Sequence, residues 1–197
     1  GAVNTIWWDG DALVGGNTDA IGFIGNIDEA APGWDEGGGT AVVLGAGGAA
    51  RAVIYGLLGR GLKVALCNRT LDRAQALAAR FGERVSAHGL PERDALLAGC
   101  SLLVNATSLG MVGQPPSDVD LSALNPGAVV YDIVYVPLET ALLKQAAARG
   151  HRTVDGLGML LHQGAVGFSR WFGTTPQVTR ELRDLLAADI RARTPGA

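Results

Sequence analysis

The sequence predicts an α/β fold: a doubly wound parallel sheet covered by helices on both faces. Short, wholly apolar runs such as Thr40-Ala41-Val42-Val43-Leu44 and Val64-Ala65-Leu66-Cys67 alternate with segments of helical periodicity. Strands buried on both faces read as such runs, and parallel neighbours need a helical crossover between them. A glycine-rich turn follows the first run directly and opens the next helical segment. The 197 residues, 48% hydrophobic and 18% charged, suffice for one full core of this kind.

Taken in order, Thr5–Trp8 and Ala12–Gly15 flank the turn residues Asp9-Gly10-Asp11 and read as a hairpin. Trp7 and Trp8 fall on opposite faces, so one packs and the other lies at an edge. After Asn17-Thr18-Asp19, the residues Ile21, Phe23, Ile24 and Ile27 recur at helical spacing until Pro32. Gly33–Gly39 is a glycine-rich, charged linker. Beyond it come strand Thr40–Leu44, helix Ala49–Leu58, strand Lys63–Cys67 and helix Leu71–Phe81, which Gly82 ends. A weak strand at Arg84–His88, a short helix at Glu92–Ala98, and buried strands at Leu102–Val104 and Ala128–Tyr131 follow. Helices are expected at Leu138–Arg149, Gly158–Trp171 and Gln177–Ile190.

Composition excludes several function classes. Net charge is −3 with both signs interspersed, so no nucleic-acid surface is expected. No apolar stretch reaches the length of a membrane span, and the N-terminus lacks signal-peptide features. Cys67 and Cys100 lie far apart in apolar runs and read as buried free thiols of a cytoplasmic protein. His88, His151 and His162 form no ligand pattern with them, so no metal site is expected. The chain starts without methionine, as though continuing from something longer.

Gly45-Ala46-Gly47-Gly48-Ala49-Ala50 fits the G-x-G-x-x-G/A fingerprint of a dinucleotide-binding Rossmann unit. Gly45 permits the tight turn, Gly47 lets backbone approach a pyrophosphate, and small Ala50 lets helix and strand pack closely. The amides and dipole of the helix start then hold the diphosphate. The cofactor is chosen at the end of the second strand. An NAD site places a carboxylate there for the ribose 2′-hydroxyl. This chain has Asn68-Arg69-Thr70, with Arg73 one helical turn later. Two guanidiniums and a hydroxyl suit a 2′-phosphate, and cations at a helix start otherwise oppose its dipole. A hydrogen bond to a charged group is worth roughly 1.5–3 kcal/mol, so Arg69 alone gives about a 10- to 150-fold preference for NADP.

Further blocks carry a family likeness. Gly1-Ala2-Val3-Asn4-Thr5, Gly16-Asn17-Thr18-Asp19 with Gly22-Phe23, the glycine loop and Asn68-Arg69-Thr70 resemble shikimate dehydrogenase. So do Asn105-Ala106-Thr107-Ser108-Leu109-Gly110-Met111, Tyr131-Asp132-Ile133-Val134-Tyr135, and Asp155-Gly156-Leu157-Gly158-Met159 with Gln163. The resemblance implies reversible NADP-dependent reduction of 3-dehydroshikimate to shikimate, on the route to chorismate and the aromatic amino acids. It implies that Asn4 and Asp19 hold the ring hydroxyls of this small-molecule substrate, with Asp19 catalytic, and that Tyr135 and Gln163 line the same pocket. Gly45, Ala46, Gly47, Gly48 and Ala49 then cradle the pyrophosphate, and Asn68, Arg69, Thr70 and Arg73 surround the 2′-phosphate. Thr107, Ile133, Gly156 and Met159 flank the ribose and nicotinamide. Without the resemblance, Asp19 reads as a helix N-cap, Asn4 as a turn residue and Met159 as core.

The family's leading substrate lobe carries a Ser-x-Ser motif for the substrate carboxylate and a lysine that pairs with the aspartate matched by Asp19. Neither motif occurs in these 197 residues, whose lysines are Lys63 and Lys144. The expected division is therefore a substrate-domain remnant at 1–32, a cofactor domain at 40–155, and C-terminal helices at 156–197 that pack back toward the substrate lobe. Leu182, Leu185, Leu186 and Ile190 are expected to be exposed, giving an adhesive face and a homodimer. Alternative readings are a non-catalytic NADP-binding module or subunit, a quinate-using relative, or another Rossmann reductase such as glutamyl-tRNA reductase or methylene-tetrahydrofolate dehydrogenase.

Overall fold

The computed structural model describes residues 2–194. Gly1 of the 1–32 segment and positions 195–197 of the C-terminal segment lie outside the described residues. The chain opens with an antiparallel hairpin of β1 (Thr5–Asp9) and β2 (Ala12–Gly16), followed by α1 (Asp19–Ala30). Then come β3 (Thr40–Leu44), α2 (Gly48–Gly59), β4 (Lys63–Asn68), α3 (Leu71–Ala78) and β5 (Val85–Gly89). The second half runs α4 (Arg93–Leu97), β6 (Cys100–Asn105), β7 (Val129–Asp132), α5 (Ala141–Ala148), β8 (Arg152–Val154), α6 (Leu157–Phe172) and α7 (Arg180–Arg193). Strands β3 to β8 form one sheet in the order β5-β4-β3-β6-β7-β8, every pair parallel. This is the doubly wound arrangement expected, and its order reverses between β3 and β6. Open α/β sheets bind ligands at such a switch point, beyond the carboxyl ends of the strands.

The apolar runs are explained by burial on both faces. Ala41 and Val43 of β3 point into a core shared with α1, α2 and α3. Their neighbours Val42 and Leu44 point into the opposite core with α4 and α5. Val42 and Val43 are fully buried, each contributing about 1.5–3 kcal/mol of apolar transfer. Helix α1 belongs to the first core through Phe23 and Ile27. Phe23 stacks on Tyr131 of β7, with ring centroids 4.7 Å apart. The hairpin is tied down by Trp171 of α6, whose indole N–H donates to the Ile6 carbonyl at 2.8 Å. Trp7 lies against Arg170 while Trp8 is exposed, the division of roles that strand alternation predicts.

Several expectations need correction. The glycine-rich segment after α1 is not a bare linker: Trp34 is buried, and its indole donates to Asp28 at 2.8 Å. Arg60 lies over the same ring and pairs with Asp28 and Asp35, clamping α1 to the end of α2. Helix α3 stops at Ala78 rather than Phe81. Helix α5 starts at Ala141, because the Thr140 hydroxyl caps it by accepting from the Leu143 amide. Helix α7 starts at Arg180, where Thr179 does the same for Leu182. The short edge strand β8 was not expected from the sequence. Of the four residues expected on an adhesive face, Leu182 and Leu185 are exposed. Ile190 is buried against Leu157, Leu161 and Ala187, and Leu186 packs beside it, because α7 folds onto α6.

Candidate functional site

The glycine loop sits at the switch point between β3 and β6. Gly45 has φ +99°, and a Cβ there would lie 2.8 Å from the Thr107 methyl and 2.9 Å from the Ala106 carbonyl. Only glycine satisfies both the positive φ and this approach. Gly47 and Gly48 have the opposite surroundings: nothing lies within 4 Å of a Cβ on either. No side chain caps the first amides of α2, so its donors and positive dipole end face that open space. Ala50 is fully buried at the helix–strand contact. A diphosphate fits this arrangement of open space, glycine backbone and uncapped amides.

Asn68 braces the loop. Its Oδ1 accepts from the Ala46 amide at 3.2 Å and its Nδ2 donates to the Thr70 carbonyl at 2.8 Å. Its side chain is thus committed to joining the glycine loop to the β4–α3 corner. Arg69, Thr70 and Arg73 are exposed. Neither arginine pairs with a carboxylate among the described residues. A cavity of about 440 Å³ beside the loop is lined by Ala46, Arg51, Arg73, Ala76, Leu77 and Arg80. Sequence reasoning passed over both Arg51, whose place directly after the fingerprint was a usable signal, and Arg80, which only the fold brings beside the loop.

Thr107, Ile133 and Tyr135 come together with Ser108 and Met111 around a second cavity of about 350 Å³ beyond β6 and β7. The turns that shape it hang on a buried pair that sequence reasoning also passed over. Asn105 Oδ1 accepts from the Thr107 amide at 3.1 Å and hydroxyl at 2.6 Å, while its Nδ2 donates to the Leu109 carbonyl at 3.0 Å. Asp132, fully buried, accepts from Asn105, the Val134 amide and the Thr140 hydroxyl. Burial raises the Asp132 carboxyl above the usual range, and those hydrogen bonds oppose the rise. Gly156 is buried, and a Cβ on it would fall 2.0 Å from the Ile133 carbonyl oxygen. Met159 sits within the core that holds Phe23 and Tyr131, only 8% exposed.

The remaining polar residues gather on α1 and α6. Asn4 Oδ1 accepts from the Thr18 amide at 2.9 Å, and Asn4 Nδ2 donates to Asp19 at 2.7 Å and to Gln163 Oε1 at 3.4 Å. Asn17 Nδ2 donates to the other Asp19 oxygen at 3.2 Å, and the Thr18 hydroxyl donates to Gln163 Oε1 at 3.1 Å. The Asp19 carboxylate is therefore held by side-chain amides and does not cap the helix it begins. The helices carrying Asp19 and Gln163 approach closely at Gly22, where a Cβ would meet the Met159 carbonyl at 2.6 Å. Asn26 crosses the same interface, donating to the Tyr131 hydroxyl and the Asp155 carbonyl, each at 2.7 Å. Tyr135 makes no hydrogen bond to the Asn4–Asp19–Gln163 cluster and faces the cavity with Thr107 instead. Lys63 and Lys144 lie elsewhere, exposed on β4 and α5. Cys67 and Cys100 are free and buried, and burial pushes their thiols up to about 11 and about 12, so both are protonated.

Residues 35–112 match the family model described as shikimate/quinate 5-dehydrogenase, and residues 156–180 match that of the shikimate 5′-dehydrogenase C-terminal domain. A shikimate dehydrogenase (NADP(+)) of Azorhizobium caulinodans is 60% identical over 98% of this chain and 69% of its own length. One from Rhodopseudomonas palustris is 60% identical over 96% of this chain and 68% of its own. Among solved structures, shikimate 5-dehydrogenase from Thermus thermophilus in complex with NADP(H) and shikimate superposes with TM-score 0.79 at 37% identity, covering 97% of this chain and 68% of that one. Quinate dehydrogenase from Corynebacterium glutamicum in complex with NAD gives TM-score 0.85 at 35% identity, covering 95% of this chain and 68% of that one. The fold, the paired motifs and this extent of identity agree: the chain belongs to the shikimate dehydrogenase family.

Proposed function

We propose that the protein is an NADP-dependent shikimate dehydrogenase, reducing 3-dehydroshikimate reversibly to shikimate in aromatic amino acid biosynthesis. One observation carries the reading most directly. Asp19 is held by Asn4 and Asn17 side chains, beside Gln163, rather than spent on capping a helix. A carboxylate so placed can accept a hydrogen bond from a ring hydroxyl and take or return a proton at the reacting oxygen. The reduced cofactor, NADPH, would supply the hydride for the reduction, and the oxidised form would take it back in the reverse direction. Gly45 to Ala49 hold its diphosphate, and Asn68 orders the corner at which Arg69, Thr70 and Arg73 meet its 2′-phosphate. Thr107, Ile133, Gly156 and Met159 would flank its ribose and nicotinamide, and Tyr135, which shares a cavity with Thr107 and Ile133, would line the substrate pocket from the cofactor side.

The same reading divides the chain by role. Residues 40–155 hold the cofactor, and 1–32 and 156–197 present Asn4, Asp19 and Gln163 to the substrate. Free, protonated Cys67 and Cys100 support a reducing, cytoplasmic setting, and exposed Leu182 and Leu185 support self-association as a homodimer. Among the described residues no helix is long and apolar enough to cross a membrane.

With Lys63 and Lys144 remote from Asp19, the 197 residues alone are expected to bind NADP(H) and turn over little. The test follows NADPH oxidation with 3-dehydroshikimate, first with this chain and then with the relatives' leading lobe added in trans. Turnover restored by that lobe supports the reading. Fast turnover without it would overturn the need for a lysine partner, and NADPH binding with no turnover in either case would favour a non-catalytic module.

A further inference from the structure

We propose that Arg51 and Arg80 act with Arg73 as a second wall of the phosphate site, so that selection of the 2′-phosphorylated cofactor extends beyond the Asn68-Arg69-Thr70 corner. The proposal rests on the NADP reading above and adds residues to it. Three guanidinium-bearing side chains line a single cavity beside the glycine loop, together with Ala46, Ala76 and Leu77, and no carboxylate lines it. Arg73 lies in the first turn of α3, Arg80 lies in the turn that follows its end, and both line the cavity. Arg51 faces them from the first turn of α2, beside the open space at Gly48.

The charges there are unbalanced in a chain whose net charge is −3. Arg60, Arg93, Arg183 and Arg193 each pair with a carboxylate within 4.0 Å. Arg51, Arg69, Arg73 and Arg80 pair with none among the described residues, and all are exposed. A cation in the first turn of a helix opposes its dipole, so Arg51 lowers the stability of α2 unless an anion sits between them. Gathering these guanidiniums around a cavity that no carboxylate lines costs repulsion that a bound phosphate dianion reverses. Arg51 and Arg73, from facing helices, suit direct charge-assisted contacts. Arg80, in the turn beyond α3, contributes mainly through its field, within the Debye length of about 10 Å at 0.1 M salt.

The test titrates the protein with NADPH, NADH, adenosine 2′,5′-bisphosphate, adenosine 5′-phosphate and inorganic phosphate, for the wild type, Arg51→Ala, Arg80→Ala and Arg51→Lys. Loss of one charge-assisted bond at an exposed site predicts about tenfold weaker NADPH and bisphosphate binding for Arg51→Ala. Arg80→Ala should lose about threefold, its salt dependence flattened by the missing charge. NADH and adenosine 5′-phosphate should bind all variants as they bind the wild type, and Arg51→Lys should recover part of the loss. Because both side chains are exposed, unfolding curves that show no loss of stability will show that the fold is intact. Equal losses for NADPH and NADH would assign Arg51 to the diphosphate and overturn the proposal, as would variants identical to the wild type. Inorganic phosphate competing as well as the bisphosphate would overturn it too, by reducing the cavity to a generic anion site. A wild type that binds NADPH no better than NADH would instead refute the cofactor reading on which the proposal rests, before any variant is compared.

Discussion

Asn105 donates its side-chain amide to the buried Asp132 carboxylate at 2.9 Å, across neighbouring strands whose register sets the two residues side by side. Each then fixes the turn that leaves its own strand, Asn105 through Thr107 and Leu109, Asp132 through Val134 and Thr140. The walls of the cavity holding Thr107, Ile133 and Tyr135 are thus two turns joined by one hydrogen bond.

Asp132→Ala would leave buried donors of Asn105, Val134 and Thr140 without acceptors, and should cost roughly 2–4 kcal/mol in denaturant unfolding. Asp132→Asn keeps an oxygen for Asn105 and Val134 and removes the buried charge. In the wild type the folded carboxyl lies above its unfolded value, so the folded state binds more protons between the two. Stability from this group is fully present below about pH 3.9, the unfolded value, and is lost as pH rises through the raised one. Asp132→Asn lacks that loss, so its stability relative to the wild type should increase across the window. A constant difference at all pH values would contradict the shift.

Glycines in this site divide into two kinds, and alanine should separate them. At Gly156 a Cβ would overlap the Ile133 carbonyl, so the backbone must move and unfolding should be easier by more than about 2 kcal/mol. At Gly47 the space is open and the φ of −90° suits any residue, so stability should change by less than about 0.5 kcal/mol. Dinucleotide binding should nevertheless weaken at Gly47→Ala for NADPH and NADH alike, because the Cβ enters the place assigned to the diphosphate. Unimpaired binding would remove the diphosphate from that place.

Asn4→Ala should act on both fold and site. It strips the buried Thr18 amide of its acceptor and releases one side of Asp19, at a cost of about 1–2 kcal/mol. With the relatives' leading lobe supplied, NADPH affinity should hold while KM for 3-dehydroshikimate rises. A fall in NADPH affinity instead would place Asn4 on the cofactor side.

Arg183 of α7 pairs with Asp155, whose other oxygen accepts from the Leu157 amide at the start of α6. The pair is partly exposed, so Arg183→Ala should cost no more than about 1 kcal/mol. Its local effect should be larger: amides of α7 should exchange faster while those of the sheet do not. Unchanged exchange in α7 would show that Ala187 and Ile190 hold that helix without the ion pair.

The sheet is readable because its strands are buried on both faces, which leaves an apolar run that no helix start interrupts. What escapes has physical causes. Strand β8, Arg152–Val154, is three residues at the sheet edge, too short for a period to show. Periodicity alone starts α5 and α7 too early because Leu138 and Val178 stand four residues before Leu142 and Leu182, whereas Thr140 and Thr179 set the boundary through cap bonds. Trp34 reads as part of a linker because glycines surround it, yet its partners Asp28 and Arg60 lie on two helices. Ile190 reads as exposed because its apolar spacing along α7 does not show that α6 packs against it. In the site, the motif blocks are legible, Asn105 and Asp132 with them, but the bond between those two crosses strands, and Arg51 and Arg80 meet at one cavity from separate elements, which spacing along one segment does not reveal.

Cofactor choice turns on the β4–α3 corner, and Arg69→Ala tests it most directly. NADPH and NADH are titrated against wild type and variant by fluorescence of the nicotinamide. The wild type should prefer NADPH by at least about tenfold, and the variant should lose most of this preference with NADH affinity unchanged. Equal losses of both cofactors, or a wild type indifferent between them, would contradict this.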